Sequence, residues 1–269
     1  MLRTPKAASD PMTLTQQEMR ELPLFRRLRH AVGKAVADFA MIREGDRIAV
    51  GVSGGKDSYT LLLLLEELRR RAPIDFQLVA VIIDSGYPGY RGDIVRDYVT
   101  SLGIPCHLET TTHYEIITEK RRPGSSYCSI CARLKRGALY GLADSLGCNK
   151  LALGHHGDDF IETLLLNQFF VGSLKAMSAN MLADNGRTTV IRPLVYASEE
   201  EIVDFMGQVG LPVVSCNCPV SDSTDLKRRR MKELLKELEQ EIPHIRSSML
   251  KALSNVHPRH LLDQQLQGL

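Results

Sequence analysis

The sequence has few aromatic residues and no segment suited to a membrane. None of its 269 residues is tryptophan and only 6% are aromatic. An RNA-binding surface would therefore have few platforms for base stacking and would have to recognise shape and backbone. No apolar run approaches the roughly 20 residues that cross a bilayer, and the first 23 residues lack the apolar core of a signal peptide. We expect a cytoplasmic protein without membrane contact.

The chain also lacks a strong charge of either sign and has no cysteine before Cys106. Its net charge is only +2, so an RNA-binding surface would have to be a local basic patch. Close cysteine pairs in a chain of this type indicate metal binding or catalysis more than disulfides. The six cysteines are Cys106, Cys128, Cys131, Cys148, Cys216 and Cys218. Cys106 and Cys148 have apolar neighbours, and we predict that both lie in the core.

Apolar segments alternate with helical ones along most of the chain. The continuous apolar run over 77–84 is typical of a strand buried on both faces. The alternation predicts an α/β fold, a parallel β-sheet with helices on both faces. The predicted strands are 48–52, 77–84, 105–108, 150–153 and 188–191. The predicted helices are 25–39, 59–71, 93–102, 131–146, 160–170, 198–209 and 223–241.

A glycine-rich loop, Ser53-Gly-Gly-Lys-Asp-Ser58, joins the first predicted strand to a leucine-rich helix. In such a turn, backbone N–H groups and the positive end of the helix dipole can bind an anion. The loop is not a Walker A motif, because Asp57 follows Lys56 and Val50 stands where that motif has its first glycine. This disfavours kinases and GTPases. The alternative is an ordinary strand-to-helix turn. The predicted anion-binding residues are Ser53, Gly54, Gly55, Lys56, Asp57 and Ser58.

Two histidines and two adjacent carboxylates follow the strand 150–153, in the order Gly154-His-His-Gly-Asp-Asp159. Ligands of parallel sheets bind at the carboxyl ends of strands, where Asp84 also lies. Clustered titratable groups at such an edge suit a cation or a reacting group. Because Mg²⁺ prefers one or two carboxylates with phosphate oxygens, Asp158 is the predicted ligand. The alternative is a solvated loop in which Asp158 caps the next helix.

Cys128 and Cys131 form a C-x-x-C at the start of a predicted helix, where the helix dipole favours thiolates. Cys216 and Cys218 supply two further sulfur atoms. Four cysteines would close a structural zinc site. Three would hold an iron–sulfur cluster and leave one iron open, where an extra sulfur atom could bind. The number of cysteines does not distinguish a zinc site from an iron–sulfur cluster.

Basic residues flank the C-x-x-C on both sides. Phosphate binding explains this clustering better than a solvated face does. The predicted RNA-binding residues are Lys120, Arg121, Arg122, Arg133 and Arg136. Lys232 and Lys236, in contrast, lie among glutamates at helical spacing, and we predict that they belong to a solvated helix face.

Together these motifs resemble the tRNA 2-thiocytidine synthetase family, within the PP-loop ATP pyrophosphatases and the cluster-dependent tRNA thiolation enzymes. The resemblance covers most of the chain. It is carried by Glu44-Gly-Asp46, the loop Ser53–Ser58, Cys128-x-x-Cys131-x-Arg133-Leu-x-Arg136, Gly154 to Asp159 and Ile191-Arg-Pro-Leu194. The segment Cys216-Asn-Cys218-Pro219 departs from the usual family pattern, Cys-Asn-x-Cys-Gly-Ser.

The resemblance implies cofactors, partners and roles. ATP, Mg²⁺ and a 4Fe-4S cluster held by Cys128, Cys131 and Cys218, with Cys216 as the alternative third ligand, would serve the reaction. The substrate would be a tRNA cytidine at position 32, whose C2 is adenylated before sulfur replaces its oxygen. A persulfide donor such as a cysteine desulfurase would supply sulfur, and a homodimer is expected. ATP would also contact Asp84, Gly154 and His155. The candidate catalytic residues are Asp57, Lys135 and Asp159.

The expected organisation is a flexible arm over 1–24, a PP-loop domain with the cluster site over 25–222 and a helical extension over 223–269. The open alternatives are a related tRNA 2-thiouridine thiolase, a zinc-stabilised PP-loop ligase and an RNA-binding module with a vestigial loop. The lack of cysteine before Cys106 favours the thiocytidine branch over the thiouridine enzymes. The intact Lys56, Asp57, Asp158 and Asp159 disfavour the vestigial loop.

Overall fold

The computed structural model describes residues 14–120, 127–214 and 226–267. Within these ranges a six-stranded sheet forms the centre of the fold. Its strands are β1 (Arg47–Gly51), β2 (Gln77–Asp84), β3 (Cys106–Thr110), β4 (Lys150–Ala152), β5 (Asn180–Leu182) and β6 (Thr189–Ile191). They lie in the order β3-β2-β1-β4-β6-β5, and every pair is parallel except β5 with β6. The predicted α/β class with a parallel sheet is confirmed.

Helices surround this sheet. The α-helices are α1 (Gln16–Glu21), α2 (Pro23–Asp38), α3 (Lys56–Arg71), α4 (Gly92–Ser101), α5 (His113–Lys120), α6 (Tyr127–Ser145), α7 (Gly157–Phe170), α8 (Glu199–Val209), α9 (Leu226–Glu241), α10 (Ile245–Ala252) and α11 (Gln264–Gln267). Short 3₁₀ turns occupy Pro193–Tyr196 and Pro258–His260. None of these described helices is long and apolar enough to cross a membrane.

The two faces of the sheet are covered by different helices. In the central strand β1, Ile48 and Val50 face the larger apolar cluster, which includes residues of α2, α3 and α8. Ala49, between them, faces the smaller cluster built with α6. This alternation follows from the two-residue period of a strand. Helices therefore lie on both faces, as predicted.

Several helices begin earlier than the sequence predicts. α3 begins at Lys56 rather than 59, so the predicted anion-binding loop includes the first helical turn. α6 begins at Tyr127 rather than 131, and α7 at Gly157 rather than 160. In α7 the N-cap is His156, and Asp159 accepts a hydrogen bond from the His156 N–H at 3.0 Å. The idea that Asp158 caps this helix is therefore wrong, because its carboxylate has other partners.

The first and last helices of the described ranges differ in how much they bury. Within the predicted arm, Thr15 and Glu18 form a capping box for α1, and Met19 is buried. At the other end, Met231 and Leu235 of α9 form an apolar cluster with Ile161 and Leu165 of α7. The predicted domain boundary near residue 222 lies outside the described residues.

Candidate active site

The parallel strands β2, β1 and β4 bring three segments to one edge of the sheet. β1 pairs with β2 on one side and β4 on the other, with Val50 opposite Ala80 and Ala152. The carboxyl ends of these strands are followed by the loop Ser53–Ser58, by residues 85–91 and by Gly154 to Asp159. The edge is where ligands of such sheets bind.

Glycine is required at Gly54, where the loop turns sharply. Its φ is +85°, which side chains rarely adopt, and an added Cβ would lie 2.8 Å from Val95 Cγ2 and 3.0 Å from Val214 Cβ. Gly55 is the N-cap of α3 and has no side chain to bond the helix end. The first N–H groups of α3 are thus directed at the site in the way that phosphate-binding loops require.

Ser58 holds the loop in shape. Its hydroxyl accepts a hydrogen bond from the Ser53 N–H at 3.1 Å and donates one to the Gly55 carbonyl at 2.8 Å. Gly154 lies against the same turn, since a Cβ there would be 3.1 Å from the Asp57 carbonyl carbon and 3.2 Å from the Ser58 nitrogen. A residue larger than glycine would push β4 away from the loop.

Lys56 is held by two carboxylates. Its Nζ lies 3.0 Å from Asp57 Oδ1 and 3.2 Å from Glu199 Oε1 of α8. Glu199 in turn accepts hydrogen bonds from Lys232 Nζ of α9, the shorter at 2.8 Å. Burial raises the pKa of Glu199, but the two lysines outweigh it and lower that pKa to about 2. Glu199 is therefore an anion in contact with the loop at any physiological pH.

An open cleft of about 620 Å³ adjoins Lys56. The loop forms one wall and apolar residues of α8 and the following segment form the other. The lining includes Ser53, Gly55, Lys56 and Asp57, together with Val203, Met206, Val213 and Val214. A concave surface with a few polar groups on one side and apolar groups on the other is typical of a small-molecule site.

The carboxylates at the start of α7 are bonded by the C-terminal helices. Arg228 of α9 contacts Asp159 Oδ1 at 3.0 Å and Glu162 Oε2 at 2.7 Å. Asp158 accepts a hydrogen bond from the Glu199 N–H at 2.7 Å and pairs with Arg246 of α10. Burial raises the pKa of Glu162, and Arg228 counteracts this by lowering it.

These contacts bear on the predicted magnesium ligand. Both carboxylate oxygens of Asp158 are bonded to protein, and the side chain is buried. Among the described residues no group of three or more His, Cys, Asp or Glu side chains is placed to hold a metal ion. The arrangement does not suit Mg²⁺ at Asp158.

His155 lies beside this cluster, as a partly buried side chain. Its Nδ1 accepts a hydrogen bond from Arg192 Nε at 3.1 Å, and Arg192 Nη1 also donates to the Ser178 carbonyl at 2.5 Å. Burial, and then the charge of Arg192, lower the pKa of His155 to about 4. The ring is therefore neutral, and its remaining proton is on Nε2.

Two tyrosines of the segment after β2 connect the loop to the cysteine helix. Tyr90 Oη donates to the Ser53 carbonyl at 3.3 Å, and Tyr87 Oη donates to Cys131 Sγ at 3.3 Å. Lys135 Nζ lies 5.9 Å from the centre of the Tyr87 ring. Cys131 and Lys135 are four residues apart on α6 and thus share a face.

The surroundings of Cys131 fit a metal-ligating thiolate. The side chain is half-buried in the second turn of α6, with a hydrogen-bond donor on its sulfur and a lysine on the same helix face. The side chain of Cys128 and the segment with Cys216 and Cys218 lie outside the described residues. Cys148 is buried and Cys106 half-buried beside the core. Burial raises the pKa of both, for Cys106 to about 11.

Of the other predicted site residues, Arg133 and Arg136 are exposed on α6. Asp84 ends β2, and its Oδ1 accepts a hydrogen bond from the Gly86 N–H at 2.9 Å. Arg121 and Arg122, and the side chain of Lys120, lie outside the described part of the chain.

The sequence patterns did not reveal the charged residues that surround the loop and the start of α7. Four of these residues were not predicted as site residues: Glu162, Glu199, Arg228 and Arg246. A fifth, Lys232, was predicted to lie on a solvated face. That prediction is wrong for Lys232, which bonds Glu199, and is confirmed for Lys236, which is exposed. Helical spacing along α9 cannot reveal a partner that lies on α8.

The fold and the loop define a PP-loop protein. A family model described as a PP-loop domain matches residues 25–238. Among solved structures, the U34-tRNA thiolase NcsA from Methanococcus maripaludis, with its [4Fe-4S] cluster, aligns with a TM-score of 0.69. The alignment covers 90% of this chain and 83% of that one at 21% identity, which establishes a shared fold.

Relatives with much higher sequence identity than NcsA place the chain in a particular family of PP-loop proteins. A tRNA-cytidine(32) 2-sulfurtransferase from Geobacter sulfurreducens is 67% identical over 245 residues, which cover 91% of this chain and 95% of the relative. The protein of that name from Geobacter metallireducens is 66% identical, with 90% and 95% covered. One from Anaeromyxobacter is 46% identical, with 91% and 81% covered. The chain belongs to this family of transferases, which confirms the resemblance seen in the sequence.

Proposed function

We propose that the protein uses ATP to adenylate C2 of cytidine 32 in tRNA and then replaces the C2 oxygen with sulfur, giving 2-thiocytidine. One observation carries the link between the two halves of this reaction. Tyr90 contacts the Ser53 loop and Tyr87 contacts Cys131, each at 3.3 Å, so a single short segment joins the predicted nucleotide site to the predicted sulfur site.

ATP would place its β- and γ-phosphates on the first N–H groups of α3 and on Lys56, with the nucleoside toward Asp84. Gly54 and Gly55 make this approach possible because they present no side chain. Gly154 keeps β4 close, and the neutral His155 presents its Nε2–H as a hydrogen-bond donor. Asp57 is the nearest carboxylate to Lys56 in the loop.

In the first step, the C2 oxygen of the cytidine forms a bond to the α-phosphorus. The bond from that phosphorus to the oxygen bridging it to the β-phosphate breaks, and pyrophosphate leaves. Lys56 and the α3 N–H groups stabilise the negative charge that develops on pyrophosphate. The base now carries AMP on C2, which is a far better leaving group than the original oxygen.

In the second step, sulfur bonds to C2 and AMP departs. Cys128, Cys131 and Cys218 (or Cys216) would hold a 4Fe-4S cluster, and that cluster would supply the sulfur. Lys135, on the same helix face as Cys131, is the candidate to stabilise charge or move a proton at the base. Asp159 is the second candidate, and Arg228 contacts its Oδ1 at 3.0 Å.

The macromolecular partners follow from the same chemistry. Arg133 and Arg136 are exposed on the helix of Cys131, where they can contact tRNA phosphates. Lys120, Arg121 and Arg122 precede that helix in the sequence and would extend the basic surface. A persulfide donor such as a cysteine desulfurase would replace the sulfur after each turnover, and a thiol reductant would supply the two electrons that convert the persulfide sulfur to sulfide. We also expect a homodimer.

The test is metal analysis and product analysis of protein purified without oxygen. We expect about four iron and four sulfide per chain, and 2-thiocytidine at position 32 by mass spectrometry of the tRNA after incubation with ATP and a persulfide source. Cys131→Ala should lose the iron and the product together, whereas Cys106→Ser, a half-buried cysteine beside the core, should keep both. One tightly held zinc and no iron would overturn the proposal in favour of a ligase.

A further inference from the structure

Three cations of the C-terminal helices contact the carboxylates beside the loop. Arg228 bonds Asp159 and Glu162, Lys232 bonds Glu199, and Arg246 pairs with Asp158. Side chains of α9 and α10 thus reach the carboxylates of the predicted nucleotide site.

The carboxylates at this edge outnumber the lysine of the loop. Asp57 and Glu199 contact Lys56 directly, and Asp158, Asp159 and Glu162 lie behind them on α7. A triphosphate carries several negative charges, so an acidic cluster would repel it from the loop. The cations of α9 and α10 offset the cluster, and without them the loop would be a poor place for a polyanion.

Lys232 has the most direct connection to the loop. Glu199 is shared between two lysines, with Lys232 Nζ at 2.8 Å from Oε2 and Lys56 Nζ at 3.2 Å from Oε1. Lys232 also lies 3.7 Å from Glu162. Each carboxylate that Lys232 neutralises is one that competes less with phosphate for Lys56.

We propose that Lys232 is a positioning residue for ATP: it holds Glu199, so that the ammonium of Lys56 can turn to the phosphates when ATP arrives. Without nucleotide, Glu199 pairs with both Lys56 and Lys232. With ATP bound, Glu199 would pair with Lys232 alone. This inference rests on the proposed ATP site at Ser53–Ser58. It makes the C-terminal extension part of the nucleotide site rather than an appendage.

The direction of the effect follows from which charge remains. If Lys232 is replaced by Met, Glu199 has only Lys56 as a partner, so it both blocks that ammonium and repels the triphosphate. If Glu199 is also replaced by Gln, neither effect remains. If Lys232 served only to join α9 to α8, the double variant would bind ATP as weakly as Lys232→Met. Removing Glu199 as well would not restore the lost contact between the two helices.

The experiment is a double-mutant cycle on the full chain, with ATP as the titrant in calorimetry. We expect Lys232→Met to weaken ATP binding about fivefold to tenfold, the size of coupling found between neighbouring charges. Glu199→Gln alone should change it less than about threefold, and the double variant should return to within about threefold of the parent protein. In thiolation assays Lys232→Met should raise KM for ATP and leave kcat unchanged.

Matched controls lie on the same helices. Lys236→Met removes an exposed lysine one turn further along α9, and Glu200→Gln removes an exposed glutamate beside Glu199. Both should bind ATP like the parent protein, and thermal unfolding should show that all variants fold. Unchanged ATP binding in Lys232→Met, or a double variant as weak as Lys232→Met, would overturn the inference. Failure of the parent protein to bind ATP or form 2-thiocytidine would instead overturn the proposed function.

Discussion

Arg192 Nε donates a hydrogen bond to Nδ1 of His155 at 3.1 Å. The contact joins the segment after β6 to the segment after β4, so it fixes one neutral tautomer of His155 at the shared edge of the sheet. Because Nδ1 is an acceptor in this bond, protonation of the ring would require Arg192 to move. The histidine is therefore suited to donate a hydrogen bond and poorly suited to accept a proton.

This arrangement predicts a pH dependence of stability. Burial and Arg192 lower the pKa of His155 from 6.5 to about 4 in the folded protein. Between these two values the unfolded chain binds the proton and the folded one does not, so stability falls as the pH drops. The loss from this group should be about 1 kcal/mol at pH 5.5. Urea unfolding at pH 7.5 and pH 5.5 measures it.

The control for this prediction is His155→Gln, which keeps a polar side chain that does not titrate. The variant should lose about 1 kcal/mol less than the parent protein over the same pH interval. Equal losses in the two proteins would show that His155 is not protonated preferentially in the unfolded state.

The hydrogen bond from Tyr87 to Cys131 should affect the sulfur site. Hydrogen bonds to ligand sulfur atoms tune the potential and lability of iron–sulfur clusters. Tyr87→Phe keeps the ring that packs against Tyr114 and Lys135 but removes the donor. We expect iron to bind during anaerobic purification and to be lost in air about twofold to fivefold faster, followed by absorbance of the cluster.

Tyr114→Phe is the matched control, since its ring lies 5.3 Å from that of Tyr87 and the substitution keeps this packing. It should lose iron at the rate of the parent protein. If both variants lose iron equally fast, the effect comes from packing around α5 and α6 and not from the hydrogen bond to Cys131.

Two glycines of the chain should respond to alanine in opposite ways. Gly54→Ala places a Cβ 2.8 Å from Val95 at a φ of +85°, so the loop has to change shape and ATP binding should fall more than about tenfold. Gly33→Ala lies within α2, where an added Cβ meets nothing within 4 Å. It should raise the free energy of unfolding by about 0.5–1 kcal/mol and leave ATP binding unchanged.

Calorimetry with ATP and urea unfolding distinguish these effects. Normal ATP affinity in Gly54→Ala would mean that the Ser53–Ser58 loop is an ordinary turn between β1 and α3. That was the alternative that the sequence left open.

Local patterns predicted the parts of this molecule that depend on neighbouring residues. The loop Ser53–Ser58 was predicted because its residues act within one turn, and the helix predicted from residue 198 begins after Ser198, its N-cap. β5 was missed because Asn180–Leu182 is too short for periodicity to show and pairs at the sheet edge. The contact of Lys232 with Glu199 was missed because it depends on how α9 packs against the rest of the fold.

The packing that places Lys232 is itself open to test. Leu235 of α9 is fully buried against Ile161 and Leu165 of α7, one turn beyond Lys232. Leu235→Ala removes this contact without touching a charge, and should lower the free energy of unfolding by about 2–5 kcal/mol. Because the cluster joins α7 to α9, the loss should appear in one cooperative transition and not in a separate early one.

Leu238→Ala, on the same helix but only half-buried, should lower the free energy of unfolding by clearly less. Circular dichroism and proteolysis after Leu238, followed together through urea unfolding, measure whether α9 detaches first. A separate early transition in the parent protein would show that the C-terminal helices unfold independently of α7. In that case Arg228 and Lys232 would reach the carboxylates of the site only part of the time, and the effect of Lys232→Met on ATP binding should shrink accordingly.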